Sequence, residues 1–330
     1  MSTRLPIFRY ASTLLVGVLV FSSLPIQASA QASTSIRVAI ATWPGFAVAH
    51  VAREQGFFSG LNVDITTVDD PTARLAAFRG GQLDIIISSL DVFAQETAGG
   101  ANGRAFMVTD RSAGADGLVT RPNVKSIGEL LGHSIAVAQG TPSQFLLHKL
   151  FQLDHLDLRG VRLVFFQDPT LAGQAFASGK VDAAVTWEPL MSQIAAEGRG
   201  KILASSADTP DAIIDILIGS DRFLSDEATA RKFVQGWLRA VAFVKSNAEK
   251  AYPIIGKALS MNLKPGEDVM EGIALADLAE NKRILCGAKG EGTIAEATLR
   301  DAQEYWVAAG VIPKAGPLPN ELIDPLICSQ

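Results

Sequence analysis

Four short segments concentrate the groups that can hold a small polar molecule. They are Thr42-Trp43-Pro44-Gly45, Ser88-Ser89-Leu90-Asp91, Gly140-Thr141-Pro142-Ser143-Gln144 and Thr186-Trp187-Glu188-Pro189. Ser89, Thr141 and Ser143 fall where helices are expected to begin. A helix start presents free N–H groups and partial positive charge, so it accepts an acidic group without an Arg. Trp43 and Trp187 can wall a flat or apolar body. Asp91 and Glu188 can take an amine. Asp110, Ser112 and Asp116 follow a little downstream, and Arg111 is the nearest basic residue. The expected ligand set is therefore Thr42, Trp43, Gly45, Ser88, Ser89, Asp91, Asp110, Thr141, Ser143, Trp187 and Glu188. Plainer uses remain open for some of them. Ser143 is also a good helix cap, Trp187 could fill a core, and Asp70 reads as a cap ahead of Pro71. The carboxylate excess suits an amine or zwitterion better than a bare oxyanion such as nitrate, because a buried like charge is costly.

Catalytic chemistry finds little support. It would need an activated nucleophile or a metal cluster. The chain has four His. His50 and His148 fall mid-helix, and His133 and His155 fall in turns. There is no HxxxH or CxxC metal spacing. No catalytic residue, metal or cofactor is expected.

The elements that position the four segments follow from an internal repeat. Displaced by about 98 residues, Asp70-Pro71-Thr72 falls on Asp168-Pro169-Thr170, Ala77-Phe78 on Ala175-Phe176, Gly81 on Gly179 and Asp84 on Asp182. Upstream, Pro44, His50 and Val63 fall on Pro142, His148 and Val161. Each unit alternates strands and helices. The first has strands at 36–41, 61–65 and 83–87 and helices at 46–57 and 71–78. The second has strands at 134–138, 161–166 and 181–186 and helices at 142–153 and 169–178. A βαβαβ order makes a parallel sheet with right-handed crossovers. Open parallel sheets bind ligands beyond their strands' carboxyl ends, which is where the four segments lie. A further strand is expected at 215–219. Helices follow at 225–247, 250–260 (with Pro253 suited to a start), 266–282 and 293–309, broken near Gly290 and Pro313. The chain then divides into lobe one (34–120), lobe two (121–212) and a return to lobe one (213–330), with crossings near 118–122 and 209–215.

Residues 1–30 read as a secretory signal. Arg4 and Arg9 precede an apolar run from Leu14 to Phe21, and Ala28-Ser29-Ala30 offers a cleavage site. The run is shorter than the roughly 20 residues of a spanning helix. Formal net charge is −5, and −7 once Arg4 and Arg9 are removed. A weakly acidic chain without basic clusters argues against nucleic acid and anionic membranes. Cys286 and Cys328 are the two cysteines. In an oxidising compartment they are expected to pair and tie down the C-terminal tail. Two buried free thiols are the alternative.

These residues resemble bacterial ABC-importer substrate-binding proteins of the nitrate/taurine/aliphatic-sulfonate type, a group that includes THI5-like binders of pyrimidine precursors. The resemblance rests on Trp43-Pro44-Gly45-Phe46 before Ala52-Arg53-Glu54-Gln55-Gly56-Phe57-Phe58, on Ala77 to Asp84, on Lys125 to Leu130, and on Ala175 to Asp182 running into Thr186-Trp187-Glu188-Pro189. It spans roughly 36–220. It implies a type II periplasmic-binding fold, two α/β lobes joined by a two-strand hinge. It also implies a periplasmic, monomeric protein that closes on a small molecule and docks on an ABC permease with its ATPase. Ligand loops after the first and third strands carry over onto Thr42, Trp43, Ser88, Ser89, Thr141 and Glu188. Two rival roles share the fold: a ligand-sensing partner of a membrane signalling protein, and a THI5-like enzyme.

Overall fold

The periodicity of the first repeat becomes a compact order of elements. In the computed structural model, which describes residues 1–2, 34–261, 270–287 and 292–330, the chain opens with β1 (Thr34–Ile40), α1 (Val48–Glu54), β2 (Leu61–Thr67), α2 (Pro71–Arg79), β3 (Ile85–Ser89), α3 (Leu90–Ala98) and β4 (Arg104–Ser112). The second unit is β5 (Asp116–Thr120), β6 (Ser134–Ala138), α4 (Pro142–Leu153), β7 (Arg162–Phe166), α5 (Pro169–Ala177), β8 (Ala183–Trp187), α6 (Leu190–Ala196) and β9 (Lys201–Ser205). The return holds β10 (Ile214–Gly219), α7 (Asp221–Ser225), α8 (Glu227–Ser246), α9 (Ala248–Ala258), β11 (Ile273–Leu275), α10 (Leu278–Leu285) and α11 (Ile294–Ala308).

Two sheets result, in the orders β11-β4-β10-β3-β1-β2 and β7-β6-β8-β5-β9. β1 pairs in parallel with β2 and β3, and β6 does the same with β7 and β8. The repeat is thus structural. α2 and α5 coincide at a displacement of 98, and so do β3 and β8. Asp70 and Asp168 cap the equivalent helices, accepting from Thr72 and Ala73 N–H and from Leu171 N–H. Asp84 and Asp182 accept from the backbone N–H of Arg37 and Ser134 at 3.0 and 2.8 Å. That last pair is displaced by 97, so the first strands match one residue out of step with the rest.

Both sheets bury apolar faces against their helices. β3 is buried throughout, as a strand covered on both faces should be. The larger core runs from Ile36 to Ile327 and includes Trp237 and Trp306. Smaller clusters around Phe151 and Phe176 line the two faces of the second sheet. Phe145 of α4 is an exception, because it packs into the first lobe's core beside Tyr305 and Trp306.

The chain passes between sheets twice. β4 ends at Ser112 and β5 begins at Asp116, and β9 ends at Ser205 before β10 begins at Ile214. The first crossing therefore precedes the expected 118–122, and β5 belongs wholly to the second sheet. The crossings are tied together. Ser112 Oγ lies 2.7 Å from both Asp116 Oδ2 and Ser206 Oγ, and Gly114 N–H donates to Ser206 Oγ at 2.8 Å.

Several expected bounds change. β3 ends at Ser89 rather than Ile87, so Ser88 and Ser89 are strand residues. Pro253 lies inside α9, which starts five residues earlier at Ala248. The expected helix at 266–282 gives way to the strand β11 and then α10. Residues 262–269, Gly290 and the signal segment lie outside the described residues. β4, β5 and β9 were missed, because their antiparallel pairings carry no repeat signature. No described helix is long and apolar enough to cross a membrane. Cys286 and Cys328 form a disulfide.

Candidate functional site

A cavity of about 460 Å³ lies between the sheets at the carboxyl ends of β1, β3, β6 and β8. Seven of the expected residues line it: Thr42, Trp43, Ser88, Ser89, Thr141, Ser143 and Trp187. Thr42 is fixed by Asp69, which accepts from its N–H at 2.7 Å and its Oγ1 at 3.0 Å. Thr141 stands at the N-cap position of α4 without a side-chain cap bond, and its Oγ1 donates instead to Ala138 O at 2.9 Å. The Ser88 and Ser89 hydroxyls are buried beside the equally buried carboxyls of Glu96 and Asp91. Trp43 and Trp187 come from opposite lobes with ring centroids 6.2 Å apart and planes tilted by 33°. Their indole N–H groups are already engaged. Trp43 Nε1 donates to Asp110 Oδ1 at 3.0 Å and Trp187 Nε1 to Thr170 Oγ1 at 3.0 Å. Each indole therefore offers a ring face rather than a donor.

The other four do not line it. Gly45 rests on Asp110, which is wholly buried. Asp91 is buried in the first turn of α3, where its carbonyl accepts from Trp306 Nε1 at 2.8 Å. Glu188 turns to the start of α6, accepting from Ser192 N–H at 3.1 Å and Ser192 Oγ at 2.7 Å.

Sequence reasoning missed Phe46, Asp69, Arg74, Asp116, Asp168 and Asp215 among the lining residues. Asp116 and Asp215 are the first polar residues to follow each crossing between sheets. Both lie at or near the expected crossings, and nothing in their sequence neighbourhood marks their second position at the cavity wall. Arg74 lies inside the helix expected at 71–78, where the sequence assigns it no role, and it is 6 % exposed with its Nη1 donating to Val68 O at 2.6 Å.

Electrostatically the wall is acidic. Burial pushes Asp91 up to about 7 and Asp116 up to about 6. Burial also raises Asp110, and raises Asp215 well above the carboxylate range, with Asp110, Asp116 and Asp91 adding to the effect on Asp215. The charges acting on Asp91, Asp116 and Asp215 are other carboxylates, with Glu188 among those acting on Asp116. Arg74 does not answer them. Burial lowers it, and the carboxylates that act on it are Glu96, Asp69 and Asp70. Among the described residues no His/Cys/Asp/Glu group could hold a metal ion.

Two α/β lobes, two crossings and a cavity at the facing strand ends define the fold of a two-lobed periplasmic binding protein. The chain matches the NMT1/THI5 like family model over residues 43–251 and belongs to that family. It is similar to the periplasmic aliphatic sulphonate binding protein SsuA from Escherichia coli, with a TM-score of 0.73 at 16% identity over 89% of this chain and 99% of that one. It is also similar to the alkanesulfonate-binding protein SsuA from Xanthomonas axonopodis pv. citri bound to MOPS, with a TM-score of 0.66 at 16% identity over 88% and 98% of the two chains. A relative from Brucella abortus, named as a binding protein, is 27% identical over 234 residues, 68% of this chain and 70% of that one.

Proposed function

We propose that this chain is a periplasmic solute-binding protein. It captures a small amine-bearing or zwitterionic organic molecule between its lobes and delivers it to an ABC permease and its ATPase. One observation carries the ligand class. Asp116 and Asp215 line the cavity, with Asp91 and Asp110 buried behind them, and no basic side chain forms an ion pair with any of the four among the described residues. Uncompensated buried carboxyls are costly, and a protonated amine supplies the missing charge. The amine receptors are then Asp116 and Asp215 rather than Asp91 and Glu188. Trp43, Trp187 and Phe46 receive the body of the ligand.

Membership of the family and the names of its relatives support the transport role. The mechanism is closure. Contacts from both lobes exist together only in the closed form, so ligand shifts the population towards it. The test is a thermal-shift screen of the stripped protein against taurine, alkane sulfonates, nitrate, amino-pyrimidines, amino acids and small amines. A rise in melting temperature with amine-bearing compounds, by mass action, is the expected result. A rise confined to nitrate or amine-free sulfonates would overturn the ligand class.

A further inference from the structure

Asp215 stands opposite Asp110 across the β4–β10 ladder and opposite Ser89 across the β3–β10 ladder. The ladder is irregular at this point, with a register shift between Asp215 and Ile216. Residues directly opposite in a sheet share a face, so Ser89, Asp215 and Asp110 form one row. Asp215 lines the cavity, whereas Asp110 is sealed behind it.

Asp110 is well supplied with donors. Trp43 Nε1 donates to its Oδ1 at 3.0 Å, and Thr109 Oγ1 donates to its Oδ2 at 3.0 Å. Asp110 and Asp215 stand opposite each other in this ladder, and both are buried. Two ionised carboxylates so placed would repel out of reach of water, and neither could donate to the other, so the pair favours holding one proton. Asp110, stabilised by two donors, keeps the charge, and Asp215 carries the proton.

The neighbouring elements supply no cation. β3 offers Ser89, α3 offers Asp91 and β5 offers Asp116. Arg111 on β4 pairs instead with Glu280 at 2.6 Å and Asp211 at 3.4 Å. Arg74, across the cavity, is acted on by Glu96, Asp69 and Asp70.

We propose that Asp215 is the group that receives the ligand's ammonium, and that it does so by releasing the proton it shares with Asp110. This deepens the amine reading above and rests on it. The exchange balances: one N–H⁺ donor replaces one O–H donor in the same row, and one proton goes to solvent. The pair also sets the direction of the pH dependence. Protons compete with the cation for Asp215, so affinity for a permanently charged amine rises with pH through the titration of Asp215.

The test is calorimetry on the stripped, full-length mature protein with n-propylamine and taurine, and with propanesulfonate as the amine-free control. Alkylamines stay protonated up to a pH of roughly 10, so any proton released below pH 8 comes from the protein. Titrations in phosphate and in Tris at one pH should give heats that differ in proportion to buffer ionisation, with up to about one proton released. Asp215→Asn should abolish that release and weaken amine binding by roughly tenfold or more. Amine binding with equal heats in both buffers from pH 5.5 to 8 would overturn this inference and leave the amine reading standing. Binding of propanesulfonate alone would overturn both. A ligand-free readout stands beside these. The protonated-carboxyl C=O absorption of the apo protein at pH 7, to which Asp91 and Glu96 also contribute, should lose intensity in Asp215→Asn, and an unchanged band would overturn the shared proton.

Discussion

Gly45 lies against the Asp110 carboxylate so closely that a Cβ on it would sit 2.3 Å from Asp110 Oδ2. No real side chain tolerates that separation, so the glycine is what lets the β1–α1 loop close over the buried acid. Gly45→Ala must displace either the loop or Asp110. Overpacking of this kind costs about 1–3 kcal/mol. Denaturant unfolding of the variant should show a loss in that range. Binding should weaken further, because the same loop carries Trp43 and Thr42 into the cavity.

The Trp43–Trp187 contact joins the two lobes at the cavity wall. Opening the lobes must separate these rings. Emission of the stripped protein should therefore change on addition of a binding amine, and Trp187→Phe should remove most of that change. Trp237 and Trp306 are fully buried in the first core and should contribute a constant background. An unaltered ligand response in Trp187→Phe would place the reporting motion elsewhere.

Glu188 separates what the sequence made legible from what it did not. Strand-end loops, helix starts and the repeat were readable, because periodicity and Pro-Thr caps are local signals. Seven lining residues followed from that alone. Which way an acid turns was not readable, since it depends on neighbours far along the chain. Glu188 finds Ser192 four residues on, while Asp215 is placed by β3 and β4 from a hundred residues earlier. Glu188→Ala should thus cost about 1 kcal/mol of stability through the lost bonds to Ser192 and lower amine affinity far less than a change at Asp116, since Glu188 acts on that site only through its charge. Asp116→Asn should do the reverse, keeping the fold and weakening amine binding. Paired unfolding and binding titrations on the two variants check the assignment.

The disulfide joins Cys286, at the end of α10, to Cys328, 42 residues further on. It anchors the segment whose Ala105–Ile323 bridge adds to the first sheet's edge. Closing a loop of that size stabilises by about 4 kcal/mol in the chain-entropy model. Replacing both cysteines with Ser should lower the denaturant midpoint by a corresponding amount. Neither cysteine lines the cavity, so affinity measured well below the transition should not change.

The buried acids also set how the empty protein responds to pH. Asp91 and Glu96 are each pushed up to about 7 and Asp116 up to about 6, in each case first by burial. Unfolded, these groups titrate near 4. Between those values the folded state holds more protons than the unfolded one, so stability falls as pH rises. The contribution is full below about pH 4 and is lost as pH passes through 6 to 7. His50 acts in the opposite sense, since burial lowers it and folding then excludes its proton, but it is one group against three. The carboxylates held low, such as Asp84 beside Arg37 and Asp301 beside His148 and Lys149, lose their contribution only below pH 4. The apo protein should therefore melt at a higher temperature at pH 5 than at pH 7.5. Asp91→Asn should flatten that slope, because the amide needs no proton to stay neutral. A saturating amine should flatten it too, by stabilising the ionised cluster at the higher pH. An apo melting temperature that rises steadily from pH 5 to 7.5 would mean that the cluster is ionised in the folded protein and balanced by a cation that the described residues do not supply.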